Sequence, residues 1–206
     1  MVWHCVFHEE WLQTTCDATS YFAGLEASHC QDLADVLPYL ACGEISAVYA
    51  FSGRLQDGVN AEVKQLLHHI AADERRHAEL IMSWQTKLPS PRQVISPSRL
   101  AMFFQRLEAG HPSEHLARVS ALDRAVCRLL HPLLKQGRAL SRAPQLHRDL
   151  CALRRDEARH VQLTRRMASD LGCSNERQLL LNTAIQQRLT TLMLPVADAL
   201  QRMGRA

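Results

Sequence analysis

The pentapeptide pattern Asp-Glu-x-Arg-His occurs twice in this chain, as Asp73-Glu74-Arg75-Arg76-His77 and as Asp156-Glu157-Ala158-Arg159-His160. Residues three apart on a helix share a face, so each copy presents one carboxylate and one imidazole in the same direction. The neighbours define that direction. Val63, Leu66, Leu67, Ile70 and Ile81 lie on the stripe of Glu74 and His77, and Leu146, Leu150, Leu153, Met167 and Leu171 lie on that of Glu157 and His160. Four ionisable groups are therefore expected to point into an apolar interior. A carboxylate there needs a cation, a hydrogen-bonding partner or a proton. Two divalent metals would meet that need. The alternative is two buried salt bridges, Glu with Arg or His, and the recurrence of the motif on two helices with matching inward faces favours metals.

The rest of the chain is consistent with an all-α fold. It has 206 residues, 47% hydrophobic and 22% charged, with only 8 Gly and 8 Pro, which suits one domain over residues 1–206 and disfavours a sandwich or barrel. Apolar periodicity and breakers mark five long helical segments, at about Tyr39–Leu55, Val59–Lys87, Ser113–Gly137, Pro144–Leu171 and Asn175–Met203. Gln56-Asp57-Gly58 stops the first, Ser113 is a plausible N-cap of the third, and Gly172 stops the fourth. Between the second and third lie Leu88 to Pro112, too long for a hairpin, with a short amphipathic piece around Leu100, Phe103, Phe104 and Leu107. Such a length suits the crossover of a four-helix bundle. Residues 1–37 would add a helical segment, interrupted at Gly24 and Pro38, and the last segment would be a single C-terminal helix.

Charge and cysteine usage narrow the setting. A net charge of +3, spread evenly, does not make the basic stripe that nucleic acid requires. The arginines at 154, 155, 159, 165 and 166 read as a solvated helix face. Seven cysteines without any Cys-x-x-Cys, an opening without a basic-then-apolar leader, and no apolar run near the ~18 residues of a bilayer span predict a soluble, cytoplasmic protein with no membrane partner.

A dimetal site built on two Glu-x-x-His motifs takes one further carboxylate from each remaining helix. Glu44 is the only acid in the interior of the first helix, on the stripe of Leu40, Ala41, Ala47, Val48 and Phe51, and it stands at a level matching Glu74 across the turn. On the third helix Asp123 matches the level of Glu157, whereas Glu114 and Glu108 fall roughly 14 Å away at 1.5 Å per residue. Asp123 shares a stripe with Leu116, Val119, Val126, Leu130 and Leu134. Its alternative is a surface acid paired with Arg118 or Arg124 on a rotated helix.

Glu44, Glu74-x-x-His77, Asp123 and Glu157-x-x-His160, on four successive helices with a crossover in the middle, resemble the ligand set of the ferritin-like di-iron carboxylate proteins over about residues 39–171. The doubled motif is most similar to the hydroxylase component of bacterial multicomponent monooxygenases. The resemblance implies a four-helix bundle with extra N- and C-terminal helices and six metal ligands, with Glu74 and Glu157 bridging. It also implies two iron ions, or a manganese–iron pair, with O2 as co-substrate. Asp73 and Asp156 would accept the outer N–H groups of His160 and His77 across the repeats, with Arg76 and Arg159 neutralising them. The expected activity is oxidation or oxygenation of a small organic substrate with an external electron donor, in a chain that can form a homodimer. The competing expectation is iron handling: ferroxidase, storage or peroxide scavenging.

Other candidates read as bland. His4 and His8 beside Glu9 lie in an end segment, His68 and His69 flank the inward stripe and are expected on the surface, and Cys127 is a small residue one turn from Asp123. Tyr39 and Tyr49, each five residues from Glu44, are not expected to point with it. Ala41 and Ala47 are expected to leave space beside Glu44.

Overall fold

Among the residues described by the computed structural model, 21–53, 59–93 and 96–205, the chain forms seven α-helices and no strand. They are α1 (Ala27–Ser52), α2 (Ala61–Gln85), α3 (Pro97–Gln105), α4 (Pro112–Leu133), α5 (Pro144–Asp170), α6 (Asn175–Leu192) and α7 (Ala197–Arg205). His4, His8 and Glu9, and the stop at 56–58, lie outside the described residues. Local chemistry sets the ends. The Asn60 side chain accepts from the Val63 N–H at 2.9 Å and opens α2. Pro112 and Pro144 occupy first turns, where a missing N–H is harmless. Gly172, at φ 93°, turns the chain out of α5 in a conformation that favours glycine.

Three boundaries differ from the sequence reading. The first helix begins at Ala27, not near Tyr39, so residues 27–37 belong to it rather than to a separate N-terminal segment. Pro38 sits inside α1; it removes one backbone bond, but Leu33, Val36, Leu37 and Leu40 around it are all buried, and their packing holds the helix through the defect. The C-terminal segment is not one helix. Pro195 lies in a 3-10 turn, Leu194–Val196, that separates α6 from α7 and lets both pack on the body. Lastly, His111 rather than Ser113 caps α4, its Nδ1 accepting from the Ser113 N–H at 3.3 Å.

α1 packs on α2 and α4 packs on α5, while α6 lies against α4 and α7 against α1. The pairing within each couple is antiparallel: Leu33–Cys42 of α1 share one apolar cluster with Ile81 and Trp84 of α2, and Phe51 shares a second with Leu67 and Ile70. In the same way Leu130 and Leu133 of α4 meet Leu146 and Leu150 of α5, while Leu116 and Val119 join Met167 and Ala168. The core is thus two apolar clusters, one towards each end of the helices. α1 is long and apolar enough, by length and composition, to cross a membrane, but 67% of its most apolar window is buried inside the protein, as in a core helix.

An ion cluster ties the periphery to α1. Asp32, 1% exposed, accepts from Arg202 of α7 at 2.6 and 2.9 Å and from Arg92 of the crossover at 2.8 Å, while Asp35 accepts from the Arg92 backbone and guanidinium at 2.7 Å. Both guanidinium groups hold the Asp32 carboxyl below its ordinary range in spite of burial. Replacing Asp32 by Asn keeps the shape and removes the charge. Chemical denaturation should show a loss of about 1–3 kcal/mol, with most of the difference from the unsubstituted chain disappearing as the pH falls through the lowered Asp32 pKa.

Candidate metal centre

Between the two apolar clusters lies a layer of six buried ionisable side chains. Glu44, Glu74, His77, Asp123, Glu157 and His160 are each at most 6% exposed. Ligand atoms of Glu44, Glu74, His77 and Glu157 all lie within 4.8 Å of one another, a group that could hold a metal ion. His77 Nδ1 is 3.2 Å from Glu157, 3.4 Å from Glu44 and 3.6 Å from Glu74. His160 Nδ1 is 2.9 Å from Glu74 and 4.0 Å from Glu157. Asp123 borders the same cavity as Glu44, Glu74 and Glu157. Arg118 is committed elsewhere, to Glu114 and to the carbonyls of Arg106 and Glu108 just after α3.

The orientation of these atoms carries more information than their proximity. Glu74 Oε1, His77 Nδ1, Asp123 Oδ2, Glu157 Oε1 and His160 Nδ1 are all buried and make no hydrogen bond. Buried polar atoms are nearly always paired, so five bare ones in a single layer are exceptional. They approach one another closely without donor–acceptor alignment, as ligands do when their lone pairs converge on a shared cation.

The outer nitrogens, by contrast, are engaged. His77 Nε2 lies 3.3 Å from Asp156 Oδ2, and His160 Nε2 lies 3.2 Å from Asp73 Oδ2, so each motif's aspartate faces the other motif's histidine. If Nε2 carries the ring proton and donates it, Nδ1 keeps its lone pair for the layer. Arg159 bridges Asp73 at 2.6 Å and Asp156 at 3.2 Å; Arg76 bridges both at 3.0 Å. These arginines are half-exposed, and the aspartates between them and the histidines are mostly covered.

Charge explains what the layer demands. Burial and the neighbouring carboxylates push Glu44 and Asp123 well above the carboxylate range, and Glu157 moves the same way. Burial also opposes ionisation of Glu74, yet contacts with His160 and His77 hold it down at about 2. For His77 burial disfavours the cation, but Glu157, Glu44 and Glu74 outweigh it and push the imidazole up to about 12; His160 rises through Glu74. Without metal the layer therefore holds protons, and two divalent cations would cancel the four carboxylate charges in their place.

An apolar cavity of about 40 Å³ opens on the Glu44–Asp123 side, walled by residues such as Leu40, Ala47, Leu122 and Val126. Ala47 and Gly43 border it; Ala41 instead packs in the core. Tyr39 lines it too, although its spacing from Glu44 suggests otherwise, while Tyr49 is exposed. Phe103 and Phe104 of α3 and Leu189 and Leu192 of α6 close the cavity. The sequence marks those segments as amphipathic but not where they dock. No family model, curated protein or solved structure matches this chain at a significant level.

The raised groups fix the sign of the pH response. Glu44, Asp123, Glu157, His77 and His160 stabilise the metal-free fold below their unfolded pKa values, and that stability is lost as pH rises through the folded ones. Metal binding requires those protons to leave, so it strengthens by about tenfold per pH unit for each proton released. The melting temperature of the metal-loaded chain should therefore exceed that of the metal-free chain by a margin that widens from about pH 5 to about pH 8. Calorimetry in buffers of different ionisation enthalpy should show proton release on loading. Equal melting temperatures at every pH would contradict a buried metal centre.

Proposed function

We propose that the six-residue layer binds two iron ions, or a manganese–iron pair, and that the chain is a ferritin-like di-iron carboxylate oxidoreductase acting on a small organic substrate with O2. The observation that carries this reading is the convergence of five unpaired buried ligand atoms on one layer that also borders an apolar cavity. Glu74 and Glu157, each near both imidazole Nδ1 atoms, would together with Glu44, His77, Asp123 and His160 hold the metals. When bound, the metal pair supplies the electrons that reduce O2. The protein's own residues do the remaining work. Asp73 and Asp156 hold the proton of the opposite histidine at Nε2, fixing ring tautomer and direction. Leu40, Leu122 and Val126 exclude water from the face where substrate would sit. An external electron donor and a cytoplasmic setting complete the proposal.

The small size of the cavity favours a second reading, iron handling, which needs no organic guest. Adding Fe(II) anaerobically and then O2 separates the two. In an oxidoreductase without reductant, O2 consumption stops once about two Fe(II) per chain are oxidised; in a ferroxidase it continues with each further addition.

The roles of the motif residues separate by mutation. Asp73→Asn should keep both metals and the fold while changing metal affinity or O2 reactivity by ~10–100-fold. His77→Ala should lower iron per chain outright. Emptying of the site by Asp73→Asn as complete as by His77→Ala would make Asp73 a ligand or folding residue, and no effect of either variant would reduce the doubled motif to a surface charge pattern.

A further inference from the structure

Trp84, in the last turn of α2, is 1% exposed, and its indole N–H makes no hydrogen bond. Buried indoles usually find a partner for that group, so the position asks for another explanation. His77, Ile81 and Trp84 follow one another at spacings of four and three, which puts all three on one face of α2. Trp84 therefore stands about 10 Å along the helix axis from the acidic layer at 1.5 Å per residue. On its other side the ring meets Tyr21, with centroids 6.0 Å apart and an interplanar angle of 37°. Tyr21 is half-buried, and its phenol donates a hydrogen bond to Asp149 of α5. The Lys87 ammonium stands 5.7 Å from the centre of the same ring. An aromatic line thus runs from the layer to the surface and ends on a phenol with a carboxylate at hand. Neither ring lines the cavity beside Glu44, so the line leaves the layer away from the guest space.

We propose that Trp84 and Tyr21 form a one-electron relay between the layer and the surface, with Asp149 as the proton acceptor that makes Tyr21 its terminus. The order follows from where a proton can go. Loss of an electron leaves either ring strongly acidic. At Trp84 no base touches Nε1, so the indole radical keeps its proton and its charge in an apolar site, which is unfavourable. At Tyr21 the hydrogen bond to Asp149 is already formed, and the Lys87 ammonium penalises positive charge left on the ring, so electron and proton leave together. The step balances: one electron passes from Tyr21 to the Trp84 radical cation and one proton from the phenol oxygen to the Asp149 carboxylate, leaving a neutral indole, a neutral phenoxyl radical and a carboxylic acid. A soluble thiol at the surface would return a hydrogen atom to the phenoxyl, and Asp149 would then release its proton to water. The oxidant that starts the relay is a one-electron acceptor in the layer, and that part rests on the di-iron reading; transfer from Tyr21 to Trp84 does not. The relay would drain an oxidised site that has no substrate beside it before its own ligands are attacked.

Laser flash photoionisation of tryptophan tests the pair without metal. In the full chain carrying Trp3→Phe and Trp11→Phe, Trp84 is the only tryptophan. The Trp84 radical formed by the flash should decay as a tyrosyl radical grows with the same rate constant, each followed by its visible absorption band, and transfer should slow in D2O. Tyr21→Phe should abolish the tyrosyl signal and prolong the Trp84 radical although Tyr39 and Tyr49 remain. Asp149→Asn keeps an acceptor oxygen but is a far weaker base, so it should slow transfer by about a hundredfold, and Asp149→Glu should restore much of the rate. No tyrosyl radical in the parent chain, a tyrosyl radical that survives Tyr21→Phe, or an unaltered rate in Asp149→Asn overturns the proposal. The link to the layer has its own readout. After O2 is added to the iron-loaded chain, freeze-quenched samples should show a tyrosyl electron paramagnetic resonance signal that Trp84→Phe removes; no signal, or one indifferent to Trp84→Phe, overturns the relay from the layer. A chain that transfers after the flash but takes up no iron sinks the di-iron reading and leaves the Trp84–Tyr21 pair standing.

Discussion

The structure depends on one constraint: four carboxylates and two imidazoles share a buried layer, and their charge must be cancelled there. The layer separates the apolar core into two clusters, so every long helix carries the discontinuity. On α1 it is Glu44, set between Cys42 and Phe51; on α5 it is Glu157 and His160, set between Leu153 and Met167. Hydrophobic burial on both sides holds the helices together and fixes the ionisable groups in place whether protons or metals neutralise them. The arginine–aspartate lattice of Arg76, Asp73, Arg159 and Asp156 closes the layer on the α2–α5 side and aims both histidines.

Asymmetry about the layer gives the site its functional character. The α2–α5 side is polar and hydrogen-bonded outward to the surface, while the α1–α4 side is small and apolar, with Gly43 and Ala47 leaving room beside Glu44. α3 and α6 cover that second side with Phe103, Phe104, Leu189 and Leu192. A metal in the layer would thus meet a hydrogen-bonded polar network on one face and an apolar cavity on the other.

Much of this is written in the sequence because it rests on local period. The inward direction of Glu74 and His77, and of Glu157 and His160, follows from i, i+3 spacing and the leucines and isoleucines beside them. Burial of Asp123 rather than Glu114 follows from counting residues to a turn, and in the structure Glu114 pairs with Arg118 and Arg177 nearer the surface. What escapes sequence reading is long-range. Pro38 looks like a helix boundary, and only the burial of the residues around it shows why α1 continues. Pro195 breaks the last helix because α7 can then deliver Arg202 to Asp32. Tyr39 likewise lines the cavity although five residues separate it from Glu44.

The central claim is that these six side chains hold two metals. Anomalous diffraction at the iron edge from crystals of the iron-loaded chain tests it most directly. The account predicts two iron peaks per chain, both within the layer formed by Glu44, Glu74, His77, Asp123, Glu157 and His160. Iron located elsewhere, or a layer with its carboxylates protonated and no metal after loading at neutral pH, would contradict it.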